Sequence, residues 1–350
     1  EELKDWEPFI TVGTPEALAL IRKEKPQLNS TLLPMDLFLI LKPWIKKVAP
    51  DAVLIVETEL WPYLIRCLTH QLIPLFLING RLSKKSLSGW KWFGPLAKQM
   101  LYGFSGLYAR TQVDGERLKT LGAPGPKIWV RGNLKVDNLN ISDPKIKKEK
   151  RRATFGFDEG FIIIGGSTRE GEEEALASVV QNPPVPSVRL ILAPRRLERV
   201  SGLTRWLEKQ SKSWALWSKV KKAKVWATDI LLVDTLGDLN GLYLTGDVAF
   251  VGGSLIKAGG QNPLEPAAAR NPVLFGPSMD NFQQEADGLI KGGGAIQVKD
   301  KEELVSQLND LLVHPEKIKA QGELAATYVR DQQGVADKVF KGLTEQLSWK

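Results

Sequence analysis

The sequence predicts an α/β fold built from two similar units of parallel strands and crossover helices. Three observations carry that prediction. Short apolar, β-branched runs alternate with amphipathic segments along all 350 residues, the pattern of parallel strands joined by crossover helices. The alternation breaks once, at Asn138–Arg152 ("NLNISDPKIKKEKRR"), a charged stretch interrupted by Pro144, and then restarts. Several strand-like runs also end in glycine pairs, Arg or Glu, at the edge where open α/β sheets bind ligands. The domains are therefore expected over residues 1–137 and 153–350, with 138–152 as linker and C-terminal helices closing the second.

In the first half, strands are expected at Phe9–Val12, Thr31–Leu33, Ala52–Val56, Leu75–Ile78, Gly106–Ala109 and Ile128–Val130. Ala52–Val56 is continuous and β-branched, as in a strand buried on both faces. Leu60–Leu68 reads as a helix, with Pro62 tolerated in its first turn. The second half restarts with "FIIIGGS", "VRLILAP", "DILLVD", "DVAFVGG", "PVLFGP" and "AIQVK" as strands, and Lys301–Lys350 is helical by pattern. No short internal repeat is visible.

A chain with 43% hydrophobic and 25% charged residues has the balance of a water-soluble globular protein. Its one cysteine, Cys67, excludes an internal disulfide and a cysteine-rich metal site. His70 and His314 stand far apart, so no metal centre or cofactor is expected. No run of eighteen apolar residues occurs, and "EELKDWEPF" is not a signal peptide. The net charge of +8 lies wholly in residues 1–150, which hold 23 Lys and Arg against 15 Asp and Glu. Such a half attracts phosphates, an anionic membrane surface or nucleic acid, and a merely solvated basic surface fits equally well.

The strand ends hold the chemistry. Glu57 and Glu59 in "VLIVETELWPYLI" close the third strand, and either serve the following helix N-terminus or face a ligand. In "IIIGGSTREGEEEAL", Gly165–Gly166 end a strand, Ser167 or Thr168 caps a helix from about Arg169, and that N-terminus suits an anion. Pro194, Arg195 and Arg196 end the next strand. An arginine there forks onto a phosphate or pairs with a neighbouring carboxylate. In "FVGGSLIKAGGQNPLEPAAARNPVLFGP", Asn262 fits an N-cap, Pro263 the first helical position and Glu265 the third, a capping-box spacing. Glu265 also suits both hydroxyls of a ribose. A phosphate loop of the G-x-x-x-x-G-K-[ST] kind and a G-x-G-x-x-G strand turn are both absent, against kinase and dehydrogenase readings.

Taken together, "ETELWPYL", "NGRLSKKSLSGW", "RGNLKVD", "GGSTREGEEE", "LAPRRLER", "DTLGDL" and "VGGSLIKAGGQNPLEPAA…PVLFGP" resemble the successive signatures of bacterial 3-deoxy-D-manno-octulosonic acid (Kdo) transferases. The resemblance runs in order from about Phe9 to the C-terminus. It implies the glycosyltransferase B arrangement, two Rossmann-like domains facing across a cleft, and transfer of Kdo from CMP-Kdo to a lipid A precursor in lipopolysaccharide synthesis. It implies that Glu57 and Lys135 stabilise the transition state. The CMP contacts it implies are Pro194 and Arg195, then Leu236, Gly237 and Asp238, then Asn262, Pro263, Leu264 and Glu265. The implied partners are the donor, the acceptor and an anionic membrane surface at the cytoplasmic face of the inner membrane, with no nucleic acid and no metal.

The chain departs from the family pattern. Arg169, Arg196 and Gln261 stand where histidine is usual, and Asp238 where glutamate is usual. The resemblance also implies that the family's N-terminal anchor and the loop bearing its general base are absent from this chain, so catalysis is expected to be impaired. "TVGTPE" aligns with the second-strand loop, so Glu16 is not expected to be that base. The competing readings are another two-domain nucleotide-sugar enzyme, transferase or epimerase, and a non-catalytic membrane-surface module. In "RLSKKSLSGWKWFGPLAKQM", Arg81, Lys84, Lys85, Lys91 and Lys98 interleave with Trp90, Trp92 and Phe93. That mixture suits a membrane interface, and a domain-packing helix with a solvated basic face is the alternative.

Overall fold

The computed structural model describes residues 7–139, 141, 152–153 and 160–347. They form two compact units: one runs to Asn133 and takes in the chain from Ala336 onward, the other is Leu134–Val335. The sequence-based boundaries differ at both ends. The 3-10 turn Leu134–Val136 belongs to the second unit because Val136 and Leu139 enter a core with Phe275 and Met279. Asp137 Oδ1 fixes it there by accepting the Gly334 and Val335 N–H groups at 2.9 and 3.2 Å. The helix Val335–Leu347 returns to the first unit, where a Cβ at Gly342 would lie 2.8 Å from the Tyr108 hydroxyl. Most of the expected linker lies outside the described residues.

In the first unit, β1 (Phe9–Val12) pairs in parallel with β2 (Asn29–Leu32). β3 (Val53–Val56), β4 (Leu75–Gly80), β5 (Gly106–Ala109) and β6 (Ile128–Val130) form a parallel sheet in that order. Its core sets Leu64, Ile65 and Leu68 of the helix Pro62–His70 against Leu75, Leu77 and Leu107. The expectation that the Ala52–Val56 run is buried on both faces is overturned. β3 is an edge strand whose Ile55 enters the core, while Leu54 and Val56 are 43% and 56% exposed. β-branched composition alone does not distinguish an edge from a centre.

In the second unit, β7 (Phe161–Thr168), β8 (Val188–Pro194), β9 (Trp214–Leu216), β10 (Ile230–Leu232), β11 (Val248–Val251), β12 (Val273–Phe275) and β13 (Ala295–Gln297) form one parallel sheet, ordered β13-β12-β11-β7-β8-β10-β9. Here burial is on both faces. Ile163, Leu190 and Leu192 enter one core, and Ile162, Ile164 and Ile191 enter another. The period of two along each strand sends alternate side chains to opposite faces. β9 was not legible in the sequence, being three residues between a polar stretch and a helix. The C-terminal helical region is divided into Lys301–Val313, Pro315–Asp331 and Val335–Leu347.

The order of this sheet reverses between β7 and β11: β8, β9 and β10 lie on one side of β7, with β9 outermost, and β11, β12 and β13 extend on the other. The carboxyl ends of these two strands mark the switch point, where doubly wound sheets hold their ligands.

Candidate functional site

At the switch point, two loops are drawn together by one carboxylate. Glu172 is fully buried, and its oxygens accept the backbone N–H groups of Arg169 (2.8 Å), Gly253 (2.9 Å), Ser254 (3.1 Å) and Leu255 (3.1 Å). Burial pushes the Glu172 carboxyl pKa up, and the four donors pull against that shift. The helix expected from about Arg169 begins at Glu172, with Gly171 at φ +85° as its N-cap. Neither Ser167 nor Thr168 caps it. Ser167 sits at φ +55°, and the chain needs that turn to bring Glu172 under β11. Glycine is required at Gly166, because a Cβ there would fall 1.8 Å from the Tyr243 hydroxyl.

One strand over, Arg195 follows β8 and donates its backbone N–H to Thr168 O at 3.0 Å. Its side chain is exposed, and among the described residues it makes no ion pair, which removes the salt-bridge alternative. The pair at this edge is Arg199 with the buried Glu173, at 2.5 Å. Pro194 ends β8 and is buried, and Arg196 is exposed.

The turn after β10 divides its labour. Leu236 is 82% exposed, and Gly237 at φ +84° has open space around it. Asp238 instead turns back: it accepts from Trp217 Nε1 (2.9 Å), Lys221 Nζ (2.8 Å) and Thr235 Oγ1 (2.6 Å). Burial works to raise its pKa, but the Lys221, Thr235 and Trp217 bonds hold it below the usual value. The carboxylate therefore shapes the turn, and Leu236 and Gly237 form its exposed part.

The capping box expected at Asn262–Glu265 is half formed: Asn262 caps with its side chain, and Glu265 meets that side chain rather than a backbone N–H. The helix is Leu264–Ala268, with buried Pro263 as its N-cap residue. Asn262 Oδ1 takes the Leu264 N–H at 3.1 Å, and Asn262 Nδ2 donates to Glu265 Oε1 at 3.1 Å. Burial raises the Glu265 pKa against that hydrogen bond. The preceding loop is tied to the β11 turn, with Gly260 N–H on Gly253 O at 2.9 Å. Gln261 is partly buried beside it.

Glu57 belongs to the first unit and Lys135 to the second. Glu57 follows β3 at φ +61°, a conformation that a non-glycine residue adopts at a cost of order 1–3 kcal/mol. Thr58 Oγ1 holds the turn by accepting the Arg81 N–H at 3.0 Å. The N-terminus of the next helix is capped by Asp36, which accepts the Tyr63 and Leu64 N–H groups at 3.1 and 2.8 Å. Glu16 lies in the first turn of Pro15–Glu24, behind the Thr14 cap. Lys135 is exposed. Sequence reasoning missed Glu172 and Asp36, and only the acidic run after Arg169 hinted at the first.

Among the described residues, no group of three or more His, Cys, Asp or Glu could hold a metal ion. A family model described as "3-Deoxy-D-manno-octulosonic-acid transferase (kdotransferase)" matches residues 1–138. A "Bifunctional glycosyltransferase/methyltransferase" of Fusobacterium nucleatum is 29% identical over 82% of this chain, and the chain spans 45% of that protein. The solved structure of Anabaena Alr3699/HepE in complex with UDP shares the fold at a TM-score of 0.65 and 15% identity, over 97% of this chain and 91% of that one. The 3-deoxy-D-manno-octulosonic acid transferase of Bordetella pertussis is 30% identical over 92% of this chain and 75% of that protein. With that identity sustained through both α/β units, the chain belongs to the 3-deoxy-D-manno-octulosonic acid transferase family of glycosyltransferases.

Proposed function

We propose that the protein transfers Kdo from CMP-Kdo to a lipid A precursor at the cytoplasmic face of the inner membrane. One observation carries the reading: Arg195, the exposed Leu236–Gly237 turn and the partly buried Asn262–Glu265 segment follow β8, β10 and β11 of one sheet. In this reading Glu265 accepts the ribose hydroxyls, and Arg195 with the Leu236–Gly237 backbone receives the phosphate. The bond from the anomeric carbon to the phosphate oxygen breaks, CMP leaves with the electron pair, and an acceptor hydroxyl oxygen attacks that carbon. Its proton passes to solvent water. Glu57 offsets the positive charge that develops on the sugar, and Lys135 the negative charge on departing CMP.

The acceptor side is supported by the segment after β4. The helices Lys84–Lys91 and Gly94–Tyr102 leave Trp92 and Phe93 89% and 60% exposed beside Lys84, Lys85, Lys91 and Lys98. Exposed rings among cations suit a phosphorylated, acylated glycolipid at a membrane surface. No described helix is long and apolar enough to cross a membrane. Calorimetric titration with CMP and UDP tests the donor reading. Tighter binding of CMP is expected, whereas preference for UDP would replace it with another nucleotide-sugar enzyme.

A further inference from the structure

We propose that Arg169 binds an oxyanion of the donor over the Gly252–Gly253 turn, an inference that rests on the CMP-sugar reading above. Glycine turns at strand ends commonly meet an anion through their own N–H groups. This one does not have them to offer: the Gly253, Ser254 and Leu255 N–H groups are all taken by Glu172. That carboxylate also brings a negative charge to the turn. An anion held here therefore needs a cation from a side chain.

Arg169 is the residue placed to supply it. The same carboxylate fixes its backbone N–H at 2.8 Å, so the start of its side chain is held against the turn. Its Nε lies 3.4 Å from where a Gly253 side chain would begin, and Gly253 at φ +67° keeps that approach clear. The Nε atom is buried, and among the described residues it has no hydrogen-bond partner. Of the acids that follow it, Glu170 is exposed, Glu172 is committed to the four N–H groups and Glu173 to Arg199. A buried guanidinium nitrogen without a partner is costly, and an oxyanion across the turn would satisfy it. Arg195 stands one strand away, its backbone bonded to the residue before Arg169, so the two arginines follow adjacent strand ends.

The oxyanion is either the nucleotide phosphate or the carboxylate of the activated sugar, and the experiment separates them. The parent, Arg169→Gln and Arg169→Lys are titrated calorimetrically with CMP and cytidine, and their KM for CMP-Kdo is measured. Loss of a charge-assisted bond is expected to cost roughly 10–100-fold. If the phosphate is bound, Arg169→Gln weakens CMP by that factor and leaves cytidine unchanged, with Arg169→Lys between. If the carboxylate is bound, CMP affinity holds and the KM for CMP-Kdo rises. Equal values for all ligands and variants overturn the inference while leaving the CMP reading standing. Failure of the parent to bind CMP removes both. Arg169→Lys retains the buried stem and charge, so it reports even if the glutamine variant does not fold.

Discussion

Glu265 accepts its hydrogen bond from the Asn262 side-chain amide at 3.1 Å, and the oxygen of that amide holds the Leu264 N–H. Asn262 thus does the capping, and Glu265 is a partly buried carboxylate whose pKa burial raises. A raised carboxyl pKa means that the folded state binds more protons than the unfolded one. Stability then falls as pH rises from the unfolded value of about 4.3 through the folded one. Glu265→Gln should remove that cost, so the melting temperature at neutral pH should hold or rise while CMP affinity falls about tenfold or more. Unchanged affinity with a lower melting temperature would make Glu265 structural.

Glu57 sits at φ +61° on a turn held by Thr58 and Arg81. Asp36 caps the helix beyond it. Glu57→Gln keeps the size and hydrogen-bonding capacity of the side chain and removes its charge, so it should lower kcat for transfer by about 100-fold if the charge acts at the transition state, with the larger effect on turnover rather than on stability. Thermal unfolding and turnover on the same sample separate the two effects. A large stability loss with unchanged kcat would assign Glu57 to the fold.

Glu172 holds four backbone N–H groups and is fully buried. Glu172→Ala strands those donors, each costing about 1–3 kcal/mol when buried and unpaired, with partial relief from loop movement. A net loss near 4 kcal/mol is expected in denaturant unfolding, together with loss of CMP binding. A loss under about 1 kcal/mol would mean that the two loops keep their place without the carboxylate.

Most of the fold was legible in the residues, and the reasons differ by place. Phe9–Val12, Gly106–Ala109, Ile128–Val130 and Val188–Pro194 begin and end where the apolar runs do, because polar or turn-forming residues stop them. The burial of β3 was misread because pairing order decides which face is covered, and a five-residue run does not contain that order. The site was legible as positions and not as contacts. Asp238 and Glu265 look alike as acids at strand ends, but Trp217 and Lys221 reach one from about twenty residues away and Thr235 from the same turn, while among the described residues the side chain that bonds the other is the nearby Asn262. The Glu172 bonds to Gly253, Ser254 and Leu255 span more than eighty residues, beyond any local pattern.

Asp238 gives a pH signature of its own. Burial opposes ionisation, but Lys221, Thr235 and Trp217 hold the pKa below its usual value. A depressed carboxyl pKa contributes stability above the unfolded value of about 3.9, lost as pH falls through the folded one. Lys221 is exposed, so solvent screens its share. Asp238→Asn should lower stability modestly at pH 7 and flatten the acid limb of the unfolding curve below about pH 4. An acid limb identical to the parent's would show that this network does not matter to folding.

The segment after β4 gives the last test, because its cations and rings make separable contributions. Lys84, Lys85 and Lys91 lie on a helix with no buried residue, and Trp92, 89% exposed, follows it. Trp90 packs against the core and fixes the segment, so its rings and cations are presented together. Each basic residue near an anionic leaflet contributes about 1 kcal/mol, an effect that fades with salt. Changing Lys84, Lys85 and Lys91 together to Ser should weaken binding to phosphatidylglycerol vesicles by about 3 kcal/mol at low salt, and by less at high salt. Trp92→Ala should weaken it at both, since ring insertion is not screened. CMP affinity should be unchanged in both variants, because the candidate CMP turns lie in the other unit. Vesicle binding that survives the triple change, or that the parent never shows, would leave this surface merely solvated and the acceptor to be met elsewhere.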